Sequence, residues 1–307
     1  MIIVLKGCQM AVWKVITGLR RVGKSYLLFN IFKKHLLDCG VKESQIVEIA
    51  LDQVRFERLL NPLELAKYIR ERVTGKGRFY VLIDEIQLSL KVKKPGIKLV
   101  DVAPEDRKNA YITFYDVLNE FRAMPNVDVY VTGSNSKMLS KDVATNFRDR
   151  GVEVRVWPLG FDEYLPVSGM EKAEAWDRYL TWGGMPLCVL ATDDRGRRAY
   201  LNTLFQRIYL KDIVERYSLA DDGTMLSTVV DILASDVGSL TNPQKLAGSV
   251  QADCGVKISG PTVAKYIGHL VDSFLYRGPS VGMSRERDIS PIRQSTIRSI
   301  SGFAMRG

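Results

Sequence analysis

The sequence predicts an α/β fold in which a parallel sheet carries a phosphate-binding loop and a helical region follows. Three observations predict it. Residues 12–25 read VWKVITGLRRVGKS, an apolar run that breaks at Gly18 and passes through Lys24 and Ser25 into the helix-like YLLFNIFKKHLL. Residues 78–87 read RFYVLIDEIQ, a fully apolar run of the kind buried on both faces of a parallel sheet, ending in two adjacent acids. From about residue 161 to 217 the pattern becomes predominantly helical, interrupted by WGGMP at 182–186.

The first strand and loop match G-x-x-x-x-G-K-[ST]. Gly18 and Gly23 permit backbone angles that a side chain would block, so successive N–H groups can curl around phosphate oxygens. The helix that follows contributes partial positive charge at its N-terminus, and Lys24 a full one. The expected nucleotide cradle is Gly18, Leu19, Arg20, Arg21, Val22, Gly23, Lys24 and Ser25, with the Ser25 hydroxyl as a hard oxygen ligand for Mg2+. Arg20 and Arg21 have two readings, contact with nucleotide or an adjacent subunit, or an outward orientation.

In a parallel sheet, the carboxyl end of the second strand lies on the edge where the loop opens. Asp84 is therefore the expected second holder of Mg2+, and Glu85 the residue that orients and polarises an attacking water. A third strand-like run, VDVYVTGSNS at 127–136, ends in small polar residues. Ser134 and Asn135 are expected between loop and acids, within reach of the terminal phosphate or the water, with Thr132 a weaker candidate inside the strand. Turn chemistry accounts for the same cluster equally well.

The 307 residues suffice for about two domains, and 46% hydrophobic content supports sizeable cores. No apolar stretch is long enough to span a bilayer and no signal-peptide pattern precedes the loop, so the expected location is cytoplasmic. Cys8, Cys39, Cys188 and Cys254 are scattered, which predicts neither a disulfide framework nor a thiolate zinc site. With only His35 and His269 besides, metal chemistry beyond magnesium is not expected. The net charge of +9 invites a nucleic-acid partner, yet much of it sits in KVKKPGIK at 91–98 and in the tail, where solvated loops are the default reading. The interval 89–110 reads as an insertion before the helix ITFYDVLNEFRAM.

In the second half, Gly183 and Gly184 followed by Pro186 stop one helix and restart another. FQRIYLKDIVERY then buries Phe205, Ile208, Leu210, Ile213 and Tyr217, while Lys211, Asp212, Glu215 and Arg216 form either an ion network that reports nucleotide state or a solvated helix face. Asn242 with Pro243, and Ser259 with Pro261, open two more helices. In the last, Val263, Ile267, Leu270, Val271 and Phe274 form the predicted core face, and Thr262, Lys265, Tyr266 and His269 the exposed one.

The order GLRRVGKS, VLIDEIQ, VTGSNSKMLS, FRDRG, WPLGFDEYL, WGGMP, YLKDIVERY resembles prokaryotic AAA+ ATPases that carry a C-terminal domain of unknown function, over about residues 12–277. The resemblance implies an additional-strand AAA+ P-loop core at 1–160, a helical lid at 161–225, a winged helix-turn-helix at 226–277 and a nuclease-like domain in complete members. It further implies Mg2+-dependent ATP hydrolysis coupled to conformational change. Arg150, with Arg148 behind it, is then the arginine that reaches a neighbour's terminal phosphate in a homo-oligomer, a surface salt bridge being the other reading. The winged helix would meet DNA or a protein partner. Alternatives are a nucleotide-gated switch with little turnover, or an inactive truncated remnant; a nucleotide kinase fits less well, since no acceptor pocket is legible.

Two stretches depart from that pattern. Residues 1–11 leave little room before the first strand, where family members carry a longer segment near the nucleotide base, so adenine selectivity is not specified here. Residues 278–307 lack the expected strand pair and K-Y-Y-x-x-D-x-G-L-R-N motif. Back-translation with freely chosen synonymous codons, read from the third base of the Gly278 codon, yields KYYSVDLGLRNA. This predicts a frameshift near Gly278, against a disordered basic tail; the gene's own codons decide between them.

Overall fold

The long apolar runs form strands because each is covered on both faces. In the computed structural model, which describes residues 13–97, 109–133, 151–219, 223–235 and 242–276, β1 (Trp13–Gly18), β2 (Ile46–Ala50), β3 (Phe79–Asp84), β6 (Val127–Thr132) and β7 (Gly151–Val156) make one parallel sheet in the order β2-β3-β6-β1-β7. The third acidic or polar strand end thus inserts between the other two: β6 pairs with β1 on one side and β3 on the other. This is the additional-strand arrangement expected from the resemblance. Two short strands, β4 (Val92–Lys93) and β5 (Tyr111–Ile112), pair antiparallel at the two ends of the 89–110 interval.

Alternation along the strands assigns the faces. Trp13, Val15, Val81, Ile83, Val127, Val129 and Val131 pack with α2 (Pro62–Arg70) and α3 (Phe114–Arg122). The opposite face packs on α1, three contiguous helical stretches at Lys24–Tyr26, Leu27–Phe32 (π-helical) and Lys33–Asp38. There Phe32 lies 4.6 Å from the Tyr130 ring centroid, and Lys33 bonds Glu48 at 2.6 Å. On that same alternation the amino ends carry a buried ion pair, Lys14–Asp128 at 2.7 Å, which an exposed Arg78 joins at 2.6 Å from Asp128. The α2 helix starts where Asn61 caps Leu63 N–H, and Thr113 and Asp116 cap α3 reciprocally.

The described chain divides into two compact units, Met1–Gly18 with Gly23–Val156, and Leu19–Val22 with Trp157–Gly307. The second is helical: α4 (Phe161–Ser168), α5 (Lys172–Trp182), α6 (Pro186–Val189), a continuous α7 (Asp194–Thr203, Leu204–Leu210, Lys211–Tyr217), α8 (Thr224–Ser235), α9 (Pro243–Cys254) and α10 (Gly260–Asp272). Phe161, Tyr164, Trp176 and Tyr179 bind α4 to α5 through edge and tilted ring contacts. The WGGMP break is obligatory: a Cβ on Gly184 would collide with the Leu159 carbonyl, and Leu159 N–H donates to Gly184 at 2.8 Å. Asn242 and Ser259 cap α9 and α10 as expected. Residues 223–276 hold no strand among those described, and no helix among the described residues is long and apolar enough to cross a membrane.

The α10 face departs from expectation. Tyr266 and His269 are buried, whereas Val271 is 41% exposed. His269 stacks on Tyr217 with centroids 3.6 Å apart, and the Tyr217 hydroxyl donates to Asp272 at 3.0 Å. A tyrosine on α7 therefore recruits the aromatic side of α10 inward, leaving Lys265 exposed and Thr262 half-buried from the predicted contact set.

Asp231 on α8 is half-buried with its Oδ1 lacking a hydrogen-bond partner, and burial pushes its carboxyl up to about 6. The native state keeps this proton where the unfolded chain, with an ordinary Asp value of about 3.9, has lost it. Stability should fall as pH rises from about 4 to about 6 and level off above, and Asp231→Asn should remove that slope and stabilise at neutral pH by roughly 1 kcal/mol after allowing for solvent screening. Urea unfolding at both ends of the interval reads this; an unchanged slope in the variant contradicts it.

Candidate functional site

The loop after β1 adopts the backbone its glycines predict. Gly18 has φ 145° and Gly23 φ 96°, both in the region that favours glycine. Arg21 takes φ 66° without that freedom, a conformation costing on the order of 1–2 kcal/mol that surrounding contacts must offset. The first turn of α1 begins at once, with Leu27 N–H donating to Gly23 at 2.8 Å. Lys24 is 5% exposed, and its Nζ donates to the Gly18 carbonyl at 3.1 Å, folding the cation back across the loop. Ser25 is exposed.

At the neighbouring strand ends, Asp84 is buried at the last position of β3. The Thr132 hydroxyl donates to Asp84 Oδ1 and accepts from Glu85 N–H at 3.1 Å, and Gly133 N–H donates to the Ile16 carbonyl at 3.2 Å. The carboxyl ends of β1, β6 and β3 are thereby joined. Glu85 itself is left-handed, φ 54° and ψ 46°, at the start of a 3₁₀ turn over Ile86–Leu88. Gln87 Nε2 donates to its Oε2.

Gly18 at the end of β1, Lys24 just after the loop, and Asp84 and Glu85 at the end of β3 thus stand on one edge of a single unit, on either side of β6. Ser134, Asn135, Arg148 and Arg150 lie outside the described residues, as do residues 1–12 and the tail from 277 on. Arg20 does not point freely outward: its Nε pairs with Asp212 Oδ2 at 2.9 Å, and its carbonyl accepts from the Tyr209 hydroxyl at 3.0 Å. Sequence reasoning underrated Thr132, because a threonine inside an apolar run reads as packing. Gln87 and Tyr209 were missed; the position of Gln87 two residues past Glu85 was the available signal, and Tyr209 opens the YLKDIVERY motif without any pattern that says what it meets.

A family model for an AAA domain matches residues 12–165, half of the chain and all of the strand ends just described. The chain belongs to this AAA family. A second family model, a domain of unknown function (DUF8612), matches residues 173–287, following the AAA domain. The AAA chain is 29% identical over 269 residues to an uncharacterized protein of Haemophilus influenzae, and 27% identical over 281 residues to one of Methanocaldococcus jannaschii. These alignments cover 86% and 85% of this chain but only 61% and 55% of those relatives, so the chain spans little more than half their length. Among solved structures it is similar to the Aeropyrum pernix ORC2 protein in its ADP form, with 14% identity, TM-score 0.42 and coverage of 88% of this chain and 81% of that one. It is also similar to a DNA polymerase III gamma subunit-related protein of Thermotoga maritima, with 12% identity, TM-score 0.37 and coverage of 98% and 97%.

Replacing Thr132 by Val should cost about 1–3 kcal/mol, since a buried carboxylate loses its donor and the Glu85 amide its acceptor. Thr132→Ser, which retains the hydroxyl, should recover most of it in chemical denaturation. Equal stability of Val and Thr forms would show that the bridge contributes nothing.

Proposed function

We propose that the AAA domain binds ATP with Mg2+ and hydrolyses it. The carrying observation is the buried Lys24 folded over a glycine-angled loop, with Asp84 and Glu85 at the carboxyl end of β3 on the same sheet edge. These residues fit the nucleotide and the metal: the loop curves at Gly18 and Gly23 without a side chain to obstruct it, and Asp84 keeps Oδ2 after Thr132 engages Oδ1. Magnesium, when bound, supplies charge neutralisation on the phosphate oxygens.

In this reading the loop amides and Lys24 Nζ hold the phosphates, the ammonium leaving the Gly18 carbonyl to do so. Ser25 Oγ and Asp84 would hold the metal. The Glu85 carboxylate orients water and accepts its proton, and Ser134, Asn135 and Arg150 remain the proposed contributors around the terminal phosphate. Glu85→Gln should keep nucleotide binding and lower turnover by about 10²-fold or more, while Lys24→Ala should lose binding. Hydrolysis by Glu85→Gln at the wild-type rate would refute the assignment. Adding duplex DNA to the same assay tests whether the helical unit meets DNA.

One observation favours a second reading, a nucleotide-gated switch with little turnover. Gln87 already occupies the Glu85 carboxylate, so a water-activating role requires that bond to open. If the bond restrains hydrolysis, Gln87→Ala should raise turnover several-fold in steady-state phosphate release; an unchanged or lower rate favours plain hydrolysis with Gln87 as support.

A further inference from the structure

We propose that Tyr209, Arg20 and Asp212 form a clamp that sets the conformation of the phosphate loop, making Tyr209 and Asp212 positioning residues for nucleotide binding; this rests on the ATP-binding reading above. The tip of the loop, Leu19–Val22, groups with the helical unit and not with the sheet from which it springs. Two bonds from α7 hold it there. The Tyr209 hydroxyl donates to the Arg20 carbonyl at 3.0 Å, and Asp212, three residues on, takes the Arg20 guanidinium at 2.9 Å. Backbone and side chain of one loop residue are held by one face of one helix, as spacing of three residues requires.

The first bond acts on the cradle itself. A trans peptide is rigid and planar, so fixing the Arg20 carbonyl also fixes the direction of the Arg21 N–H, which points the opposite way. That amide belongs to the residue held at φ 66°, between the two glycine-permitted angles of the loop. Without an external anchor, a non-glycine residue relaxes away from such a conformation. Tyr209 is 4% exposed, and burial pushes its phenol up, so the hydroxyl remains a proton donor to the carbonyl.

The second bond disposes of a charge. Arg20 sits beside the proposed phosphate site, where a loose guanidinium could collapse onto the loop. Asp212 holds it, with Arg216 3.9 Å from the same carboxylate oxygen. Burial raises the Asp212 carboxyl and the two guanidiniums oppose that rise, in keeping with a partly desolvated ion pair and not a solvated helix face. The charged set Asp212, Arg216 on α7 is therefore attached to the loop, which its sequence pattern alone left undecided.

The test measures the MgATP dissociation constant of the full chain in a Glu85→Gln background, so that turnover does not intrude. Tyr209→Phe and Asp212→Asn should each weaken binding about 5- to 10-fold, because the binding-competent loop becomes a smaller fraction of the population. The unfolding transition without nucleotide should stay in place. Arg20→Gln combined with Asp212→Asn should cost no more than Asp212→Asn alone, the mark of one shared interaction. If the Glu85→Gln parent and its Lys24→Ala derivative bind MgATP equally or neither binds, the nucleotide reading falls and the clamp with it. If the parent binds, Lys24→Ala does not, and both α7 variants bind as tightly as the parent or more so, the clamp alone is overturned. Should Tyr209→Phe fail to fold, the near-isosteric Asp212→Asn decides.

Discussion

The candidate site depends on the parallel pairing of β6 between β1 and β3. Parallel neighbours end on the same edge, so the loop after Gly18, the hydroxyl of Thr132 and the acids Asp84 and Glu85 arrive together without any of them being close in sequence. The central strand does more than space the other two. Its last side chain donates to Asp84 and accepts from the Glu85 amide, while the next residue's amide binds the β1 carbonyl at Ile16. The edge that carries the candidate site is a hydrogen-bonded seam and not a chance meeting of strand ends.

Alternation divides the labour on each strand. On the α1 face, the amino ends carry the buried Lys14–Asp128 pair, with an exposed Arg78 on the same carboxylate, and the carboxyl ends carry Thr132 and Asp84. Ionised groups buried at the amino ends must remain paired, since loss of one partner strands the other in low dielectric. A one-residue slip of β6 would turn both clusters to the opposite, wholly apolar face packed on α2 and α3. The polar residues that look incidental within apolar runs therefore make register unambiguous.

Backbone strain is concentrated where function is proposed. Arg21 and Glu85 are two of the four non-glycine residues with positive φ among those described, and each is held by a partner on another element: Arg21 through the neighbouring Arg20 carbonyl bound by Tyr209, Glu85 through Thr132. The loop is accordingly not self-contained. Its glycines permit the required curve, and a helix nearly two hundred residues later supplies a hydrogen bond that holds it.

Much of the architecture was legible in the chain itself. Gly18, Gly23 and Lys24 announce the loop because few backbones need that combination, and FYVLI at 79–83 announces a doubly buried strand because no charged residue interrupts it. The caps at Asn242 and Ser259 and the stop at Gly183 and Gly184 were local chemistry and could be read locally. Long-range partners could not. Whether Tyr266 and His269 faced out depended on Tyr217 from another helix, and whether Asp212 was surface or anchor depended on Arg20. Periodicity tells which residues share a helix face but not what that face meets. The sequence by itself determined the three central strands, the loop and the identity of the acids, since these follow from short-range sterics and hydrophobic pattern; only the tertiary structure decided that Thr132 bridges the acids and that Tyr209 holds the loop, because each is a hydrogen bond whose geometry exists only once separate elements are packed.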